Sequence, residues 1–292
     1  MNRIYLIDAS IYIFKYYFSM PDVWQSESGY STFAVRGYTT WLGKFLAKEQ
    51  PIYAAACFDE SLATCFRNEI YPDYKISRAL PDDELAFQLE ACKQITELMG
   101  IASYASERFE ADDLIGTLAH RAAKKQLPAT ILTRDKDLGQ LAIHADTLLW
   151  DYPDKAPLTH FDIAEKFGVQ AKYIADFLAL TGDVSDDIPG VPGIGPKIAS
   201  MLIHAFGGWR NIRRNIPAVA QLNIRGAASI ANKLTEFNAQ IDMALKLTTI
   251  VKDASLGRRF HIKMRKPDIP ALESYGQYLG LNLNFKKMFN EI

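Results

Sequence analysis

The chain has 292 residues, 49% of them hydrophobic, and a formal net charge of −1. This length and composition allow two domains with a proper hydrophobic core. Asp8 and Lys15 interrupt the apolar N-terminus, which excludes a membrane-spanning run there and argues against a secretory signal. The three cysteines, Cys57, Cys65 and Cys92, are not spaced like a zinc site, and thiols of this kind indicate a reducing, cytoplasmic location.

Charge is distributed unevenly along the chain. From Lys197 to the C-terminus there are 15 lysines and arginines against 6 aspartates and glutamates, whereas the first 196 residues hold 18 and 28. An acidic first part suits a metal centre, and a basic second part suits a phosphate-binding surface. Ordinary solvated surface charge would give the same asymmetry, so this signal is weak by itself.

Short strands are predicted to alternate with helices over the first 150 residues. An apolar run over 3–8 is followed by a helix over 10–18, for which Ser10 is the expected N-cap. A later helix over 81–99 is expected to carry Pro81 in its first turn. This alternation predicts an α/β fold with a parallel sheet covered on both faces. The remaining strands are predicted over 52–58, 101–104, 129–133 and 147–150, and the remaining helices over 32–48 and from 110 onward.

Strand signals fade after residue 160, where only helices are predicted. We therefore place a domain boundary near 165, which gives one domain over 1–165 and a second over 166–292. The predicted helices of the second domain cover 160–168, 170–181, 197–206 and 227–250.

One polar stretch combines carboxylates with a glycine turn. Its first half holds Asp183, Asp186 and Asp187, and carboxylates this close together repel one another unless a cation lies among them. In its second half, the turn from Gly193 to Gly195 lets the backbone approach a phosphate, and the next helix offers free N–H groups. The stretch predicts a metal ligand and a phosphate contact, although an ordinary polar loop before a helix would look similar.

Acidic residues also stand where the predicted strands end. The carboxyl ends of parallel strands meet at one sheet edge, so these acids and those of the polar stretch would share one cleft. So many carboxylates cannot all stay ionised without cations, and all-oxygen ligation suits Mg²⁺ or Mn²⁺. Each acid alone is equally explained as a helix cap, but the whole set at one edge indicates a metal site. The set is Asp8, Asp59, Glu110, Asp112, Asp113, Asp135, Asp137, Asp183 and Asp186.

A basic and aromatic cluster precedes the helix over 81–99. Two divalent ions about 4 Å apart are a known arrangement for in-line phosphodiester hydrolysis, and nearby cations stabilise the charge that builds on the phosphate. Lys75 and Arg78 would share one face if their segment is helical, and Tyr74 beside them could stack on a base. The alternative for this cluster is an exposed, solvated turn.

Together these residues resemble a known family, the structure-specific 5′-nucleases or flap endonucleases. The family includes the 5′–3′ exonuclease domain of bacterial DNA polymerase I and its free-standing relatives. Each motif is modest alone, but six in the family's order over residues 3–250 are highly specific. The motifs are Asp8 at a strand end, Phe58-Asp59, Phe66-Arg67 with Tyr74-Lys75 and Arg78, Glu110-Ala-Asp-Asp113, Thr133-Arg-Asp-Lys-Asp-Leu138, and Thr181-Gly-Asp-x-Ser-Asp186 running into Pro189-Gly-Val-Pro-Gly-Ile-Gly-Pro-Lys197.

The resemblance implies a Rossmann-like (PIN-like) nuclease domain and a C-terminal helical helix-three-turn-helix DNA-binding domain. It implies 5′–3′ exonuclease and flap endonuclease activity on DNA in replication and repair, with a 3′-hydroxyl and a 5′-phosphate as products. Two Mg²⁺ ions, for which Mn²⁺ substitutes, are implied as cofactors. By similarity, Asp8, Asp59, Glu110 and Asp112 hold the first ion, and Asp135, Asp137 and Asp186 hold the second, with Asp112 bridging.

Other roles also follow from the resemblance. Asp113 and Asp183 would support the metals without direct contact, and Lys75 and Arg78 would contact the scissile phosphate from a gateway helix. A potassium ion held by backbone carbonyls of Val191 and Ile194 would touch duplex phosphate. The residues expected to bind DNA are Lys15, Arg67, Tyr74, Gly193, Gly195 and Lys197.

The chain departs from the family's pattern at two positions. Asp187 stands where asparagine is usual and would add negative charge beside the second metal. Lys15 stands where arginine is common, which keeps the charge but loses the bidentate fork. The chain ends at Ile292, without room for a polymerase, so a free-standing enzyme or an excised domain is expected.

The expected partners are DNA with 5′ flaps or free 5′ ends, including RNA-primed DNA, and DNA polymerase I as a functional partner. A monomer without membrane contact is expected. Two other functions compete with the nuclease. A non-catalytic branched-DNA binder would use the turn from Gly193 to Lys197 and be indifferent to loss of Asp135. A single-strand ribonuclease of the related PIN type would usually be far shorter and lack that turn.

Overall fold

A single five-stranded parallel sheet lies at the centre of the first half of the chain. The structure is a computed structural model that describes residues 3–61, 63–143, 145–256 and 260–290. The strand order is β3-β2-β1-β4-β5 and every pairing is parallel, as the alternation of strands and helices predicted. The strands are β1 (Ile4–Asp8), β2 (Tyr53–Asp59), β3 (Ala102–Ser106), β4 (Ala129–Leu132) and β5 (Thr147–Trp150).

Helices cover both faces of the sheet, and further helices joined by loops follow it. The helices connected with the sheet are α1 (Ala9–Tyr17), α2 (Phe33–Glu49), α3 (Phe66–Ile70), α4 (Asp83–Leu98) and α5 (Ala111–Lys124). Those that follow are α6 (His160–Phe167), α7 (Ile174–Thr181), α8 (Pro196–Phe206), α9 (Trp209–Arg214), α10 (Ile216–Val219), α11 (Ala227–Glu236), α12 (Asn238–Thr248), α13 (Ile269–Tyr278) and α14 (Phe285–Asn290). Short 3-10 helices form at Asp137–Leu141, Ala171–Tyr173 and Val184–Asp186.

The hydrophobic core lies in two layers, one on each face of the sheet. Side chains alternate along a strand, so Ile4 and Leu6 enter one layer and Ile7 enters the other. The first layer joins α5 to the helices of the second half, including α7, α8 and α12. The second layer contains α1, α2 and α4. The sheet and the C-terminal helices thus share one core, which fixes their carboxylates relative to one another.

Four local predictions are wrong. Ser10 lies inside α1 rather than capping it, and its hydroxyl accepts a hydrogen bond from the Asp59 N–H at 2.9 Å. Pro81 precedes α4, whose N-cap is Asp82, because the Asp82 carboxylate accepts from the Leu85 N–H. Residues 71–78 form turns and not a helix. The helix expected over 227–250 is broken at Phe237 into α11 and α12.

The end of the chain returns to the first domain. Residues near Lys263 pair with Tyr53 at the start of β2, and α13 and α14 pack against α4 and α2. Leu272 and Phe285 thereby complete the second core layer. The boundary at 165 stays a prediction, but these last helices pack on the sheet side of the molecule.

Two of the predictions drawn from composition can be compared with the structure. All three cysteines are free and buried, as their spacing indicated. Among the described helices, none is both long and apolar enough to cross a membrane.

Candidate active site

The first two aspartates lie side by side at the carboxyl edge of the sheet. Asp8 is the last residue of β1, and Asp59 is the last residue of β2. The Thr133 hydroxyl donates to Asp8 at 2.8 Å, and the Ala111 N–H at the start of α5 donates to Asp59 at 2.7 Å. The parallel sheet therefore brings four separate segments to this edge, as the sequence predicted.

These buried carboxylates raise one another's pKa. Burial and the neighbouring Asp59 and Asp135 raise the pKa of Asp8 to about 8, despite the Thr133 hydrogen bond. Burial, Asp135, Asp8 and Asp59 raise the pKa of Asp112 well above its usual range. Burial followed by Glu110 raises the pKa of Asp59. Raised pKa values in a row of acids mean that negative charge here lacks sufficient compensation.

Glu110 differs from its neighbours because cations surround it. It is the N-cap of α5, and its carboxylate accepts from Lys75 at 2.5 Å and from Arg67 and Tyr74, both at 2.9 Å. Burial alone would raise the pKa of Glu110, but Lys75 and Arg67 outweigh it and hold that pKa below its usual value. Glu110 is therefore ionised in this arrangement.

Arg67 is a structural residue and not a surface one. Its guanidinium binds both oxygens of the fully buried Asp113, at 2.6 and 2.9 Å, and the carbonyls of Leu247 and Thr249. The side chain of Arg67 is 3% exposed, so the predicted DNA contact of Arg67 is wrong. Both oxygens of Asp113 bind Arg67, and Asp113 meets the acidic edge through the Arg67–Glu110 ion pair and through a hydrogen bond from the Glu110 N–H at 3.3 Å.

A second group of acids follows β4 and includes one from the helical part. The Asp137 N–H donates to Asp135 at 2.8 Å, and Asp183 accepts from the Ser185 N–H and hydroxyl. Burial, then Asp135, raises the pKa of Asp137 to about 8. Oδ1 of Asp137 and Oδ2 of Asp183 are buried without a hydrogen-bond donor among the described residues. The Lys136 ammonium lies 3.9 and 3.8 Å from these two atoms.

Asp186 connects the two groups of acids through the turn that carries Lys75 and Arg78. Its carboxylate contacts the Arg78 guanidinium at 2.6 Å, the Tyr74 hydroxyl at 3.2 Å and the Lys75 ammonium at 3.6 Å. Burial raises the pKa of Asp186, against the opposing effects of Lys75 and Arg78. Lys75 and Arg78 thus point at the acids from a turn and not from a gateway helix, and their contact with a scissile phosphate stays a prediction.

The predicted base stacking of Tyr74 is wrong, and Asp187 is bound by Ser77 of the same turn. The Tyr74 ring is buried and its hydroxyl donates to Glu110 and Asp186, so it is not available to stack on a base. Asp187 turns away from the acids, and its carboxylate accepts from the Ser77 N–H at 2.9 Å and the Ser77 hydroxyl at 2.7 Å. These two hydrogen bonds lower the pKa of Asp187. Asp187 is therefore ionised, and Ser77 holds its carboxylate in place.

The glycine turn and α8 lie next along the chain. Gly193 has a positive φ of 81° and Gly195 is the N-cap of α8, with open space around it. Lys197 is exposed in the first turn of this helix, and free N–H groups with a positive dipole are exposed there. The side chains of Val191 and Ile194 are buried, which leaves only backbone atoms for the predicted potassium ion.

Two lysines bear on the DNA and potassium predictions. The Lys233 ammonium donates to the carbonyl of Pro192 at 2.8 Å, so a cation already contacts the glycine turn. Lys15, at the end of α1, pairs with Asp154 at 2.5 Å. Its ammonium is only partly available to DNA.

Charge balance decides what the acidic edge can hold. In the part of the chain that the structure describes, four cations pair with it, namely Arg67, Lys75, Arg78 and Lys136, and the nine predicted carboxylates outnumber them. Within the described ranges, no three histidine, cysteine, aspartate or glutamate side chains converge closely enough to hold a metal ion as they stand. The donor set itself fits hard divalent cations, because it offers only oxygen atoms, excess negative charge and a buried Asp137 oxygen without a donor among the described residues.

The sequence did not indicate several residues that shape this site. Thr133 orients Asp8, Ser10 orients the end of β2, and Ser77 binds Asp187. Lys136 lies between Asp137 and Asp183. A hydroxyl or a lysine beside an acid carries no distinctive spacing, so only the three-dimensional arrangement reveals these contacts.

A parallel sheet with an acidic carboxyl edge, joined to helices that add two more aspartates, is the arrangement of a PIN-like nuclease. Comparison with known families agrees. The family model described as the 5′–3′ exonuclease N-terminal resolvase-like domain matches residues 3–173. The model described as the 5′–3′ exonuclease C-terminal SAM fold matches residues 169–269. The chain belongs to the 5′–3′ exonuclease family, and the predicted nuclease class and fold class are confirmed.

Individual relatives fall into two kinds. DNA polymerase I of Mycobacterium bovis is 34% identical over 257 residues, which cover 87% of this chain and 28% of the polymerase. The 5′–3′ exonuclease of Aquifex aeolicus is 29% identical over 295 residues, which cover 99% of this chain and 96% of the relative. The chain therefore spans a little over a quarter of the length of its polymerase relatives.

Solved structures agree on the fold. The T5 5′-exonuclease with bound zinc ions matches with a TM-score of 0.67 and 17% identity, over 84% of this chain and 89% of that one. The catalytic core of Rad2 in complex with a DNA substrate matches with a TM-score of 0.66 and 15% identity, over 100% and 93%. At such identities the likeness shows a shared fold alone.

Proposed function

We propose that this chain is a divalent-metal-dependent 5′–3′ exonuclease and flap endonuclease. It hydrolyses DNA phosphodiesters at 5′ flaps and free 5′ ends and leaves a 3′-hydroxyl and a 5′-phosphate. The observation that carries the proposal is the acidic edge, where carboxylates from two parts of the chain outnumber their cationic partners and raise one another's pKa. Such an edge repels DNA phosphate unless cations occupy it.

Mg²⁺ is the proposed cofactor, with Mn²⁺ as a substitute. Asp8, Asp59, Glu110 and Asp112 would hold one ion, and Asp112 would bridge to the second. The second would be held by Asp135, Asp137 and Asp186. When bound, such a pair supplies an activated water nucleophile and stabilises the leaving oxygen.

The protein's own residues would position the substrate and stabilise developing charge. Lys75 and Arg78 lie against Glu110 and Asp186. When a substrate phosphate enters beside the metals, these two cations would pair with the phosphate in place of the carboxylates. Asp183, whose Oδ1 is fully used by Ser185, would support the site without direct metal contact.

Duplex DNA would be held by the glycine turn. The exposed N-terminus of α8, with Gly193, Gly195 and Lys197, offers N–H groups and a positive charge to a phosphate. A potassium ion on the backbone carbonyls of Val191 and Ile194 would add to this contact. We further propose that the chain acts as a monomer in replication and repair, on substrates that include RNA-primed DNA. Its proposed functional partner is DNA polymerase I.

Cleavage of a 5′-labelled flap substrate tests the proposal. With Mg²⁺ the chain should cut near the junction, and EDTA or Asp135→Asn should lower the rate by about 100-fold or more. Asp253→Asn changes an exposed aspartate outside the acidic edge and should cut like the unchanged protein. Tight flap binding without cutting in every condition would instead identify a non-catalytic branched-DNA binder.

A further inference from the structure

Two turns meet beside the acidic edge, and besides the contacts of Asp186 with Lys75 and Arg78 they are joined by a contact between Ser77 and Asp187. The Lys75 turn (residues 74–78) lies against the Asp183 turn (residues 183–188). Both the N–H and the hydroxyl of Ser77 donate to one oxygen of Asp187, at 2.9 and 2.7 Å. We propose that this Ser77–Asp187 contact is a positioning latch, which holds Lys75 and Arg78 at the acidic edge. Its effect on cleavage rests on the proposed function, but its effect on structure does not.

Backbone conformation on both sides indicates that the turns need such a latch. Lys75 and Asp187 have positive φ angles of 55° and 56°, a left-handed conformation that residues with a Cβ atom adopt only when their surroundings hold them. Between them, the Lys75 N–H donates to the carbonyl of Asp186 at 3.1 Å. Lys75 is thus hydrogen-bonded to the Asp183 turn, and Asp187 is hydrogen-bonded to the Lys75 turn.

Polar contacts, from Ser77 to Asp187 and from Arg78 to Asp186, hold the outer part of the Lys75 turn in place of apolar burial. Tyr74 is buried and anchors its beginning. Beyond it, Ile76 and Leu80 are 67% and 65% exposed, so apolar burial does not fix the chain there. Polar contacts with the Asp183 turn must do so, and the contact from Ser77 to a carboxylate is charge-assisted and therefore among the stronger ones.

Opening the latch would displace both cations together. Ser77 lies between Lys75 and Arg78 in the chain, and their charged groups bind Glu110 and Asp186 at 2.5 and 2.6 Å. Ser77 and Asp187 themselves do not touch the acidic edge. They act through Lys75 and Arg78, which makes them positioning residues.

Chemical labelling tests the latch without any assay of activity. The Lys75 side chain is 17% exposed, so acetylation by an N-hydroxysuccinimide ester, followed by mass spectrometry, should be slow in the unchanged protein. Ser77→Ala and Asp187→Ala should each raise the labelling rate of Lys75 about 10-fold, the equilibrium effect of losing a hydrogen bond to a charged group. Ser77→Thr keeps both donors and should restore slow labelling.

The chain contains a matched control for this contact. At the start of α6, the N–H and hydroxyl of Thr159 donate to one oxygen of Asp162, at 2.7 and 2.6 Å. Thr159→Ala removes the same kind of interaction far along the chain from Lys75 and should leave its labelling unchanged. Equal Lys75 labelling in Ser77→Ala and in the unchanged protein would overturn the latch.

Single-turnover cleavage of the flap substrate supplies a second readout. Ser77→Ala and Asp187→Ala should lower the maximal rate about 10-fold while the Kd for DNA changes less than about 2-fold. The double variant should be no slower than the slower single one, because both changes remove one contact. Weaker DNA binding at an unchanged maximal rate would overturn the positioning role. If labelling responds as expected but even the unchanged protein does not cut, the proposed function fails and the latch stands.

Discussion

The Arg67 guanidinium clamps the fully buried Asp113 carboxylate with hydrogen bonds of 2.6 and 2.9 Å. The same guanidinium reaches Glu110 at the acidic edge and the carbonyls of Leu247 and Thr249 at the end of α12. One side chain therefore ties the sheet domain, the acidic edge and the helical part together. This relation explains how acids from distant parts of the chain keep a fixed arrangement.

Removing one partner of this pair should destabilise the fold strongly. Arg67→Met leaves Asp113 as an uncompensated buried charge, which should lower the free energy of unfolding by about 3–5 kcal/mol. Urea unfolding followed by circular dichroism measures this loss. Lys286→Ala breaks an exposed ion pair with Glu273 and should change the free energy of unfolding by less than about 1 kcal/mol. Similar losses in the two variants would show that Arg67 is not a structural hub.

The raised pKa values of Asp8 and Asp137 predict how stability depends on pH without divalent metal. Both are about 8 in the folded chain, against about 3.9 for an unfolded aspartate. Between these values the folded state retains protons that the unfolded state releases, so the free energy of unfolding falls as pH rises from about 4 to 8. Thermal unfolding in EDTA at several pH values measures the slope.

Divalent metal should reverse this trend. Ligand carboxylates must be deprotonated to bind, so the rise in Tm on adding Mg²⁺ should be larger at pH 8 than at pH 5. The double variant Asp8→Asn, Asp137→Asn should have a shallower pH slope in EDTA and gain less from Mg²⁺. A Tm that rises between pH 5 and 8 in EDTA would contradict the charge balance described for the acidic edge.

The Lys75 turn should affect the rate of cleavage more than the affinity for DNA. Lys75→Met keeps the length of the side chain but removes the charge beside Glu110 and Asp186, and we expect the maximal cleavage rate to fall by about 100-fold or more. The Kd for flap DNA, measured by fluorescence anisotropy in Ca²⁺, should change little because the duplex is held elsewhere. Lys172→Met, an exposed lysine before α7, is the control. A rate within about 3-fold of the unchanged protein would exclude a role for Lys75 in the chemistry.

The sequence predicted the sheet well because its signals are local. Buried strands such as 52–58 are continuous apolar runs, and once the sheet is parallel the acids at the ends of its strands must meet at one edge. The conformation of residues 71–78 could not be predicted in this way. Its left-handed Lys75 depends on Ser77 and Asp187, which are 110 residues apart, and no local pattern encodes such a contact.

The roles of Arg67 and Tyr74 were mistaken for a related reason. Arginine is mostly exposed and tyrosine is often partly exposed, and a basic, aromatic run therefore suggests a DNA surface. Here Asp113 provides a buried partner for Arg67, and Glu110 with Asp186 provides acceptors for the Tyr74 hydroxyl. Burial of a polar side chain is decided by such partners, and they come from elements far away in sequence.

The glycine turn before α8 should determine affinity for duplex DNA and its dependence on salt. Lys197→Ala removes one cation from the exposed start of the helix, so the Kd for nicked duplex should rise about 3-fold to 10-fold and the slope of log K against log salt should fall by about 1. Gly193→Ala should weaken binding as well, because Gly193 has a φ of 81° and an added Cβ would lie 2.8 Å from the Lys233 ammonium. Fluorescence anisotropy over a KCl series measures both effects. Lys286→Ala, on α14, should leave the Kd and the slope unchanged, whereas an unchanged slope in Lys197→Ala would show that this helix terminus does not contact phosphate.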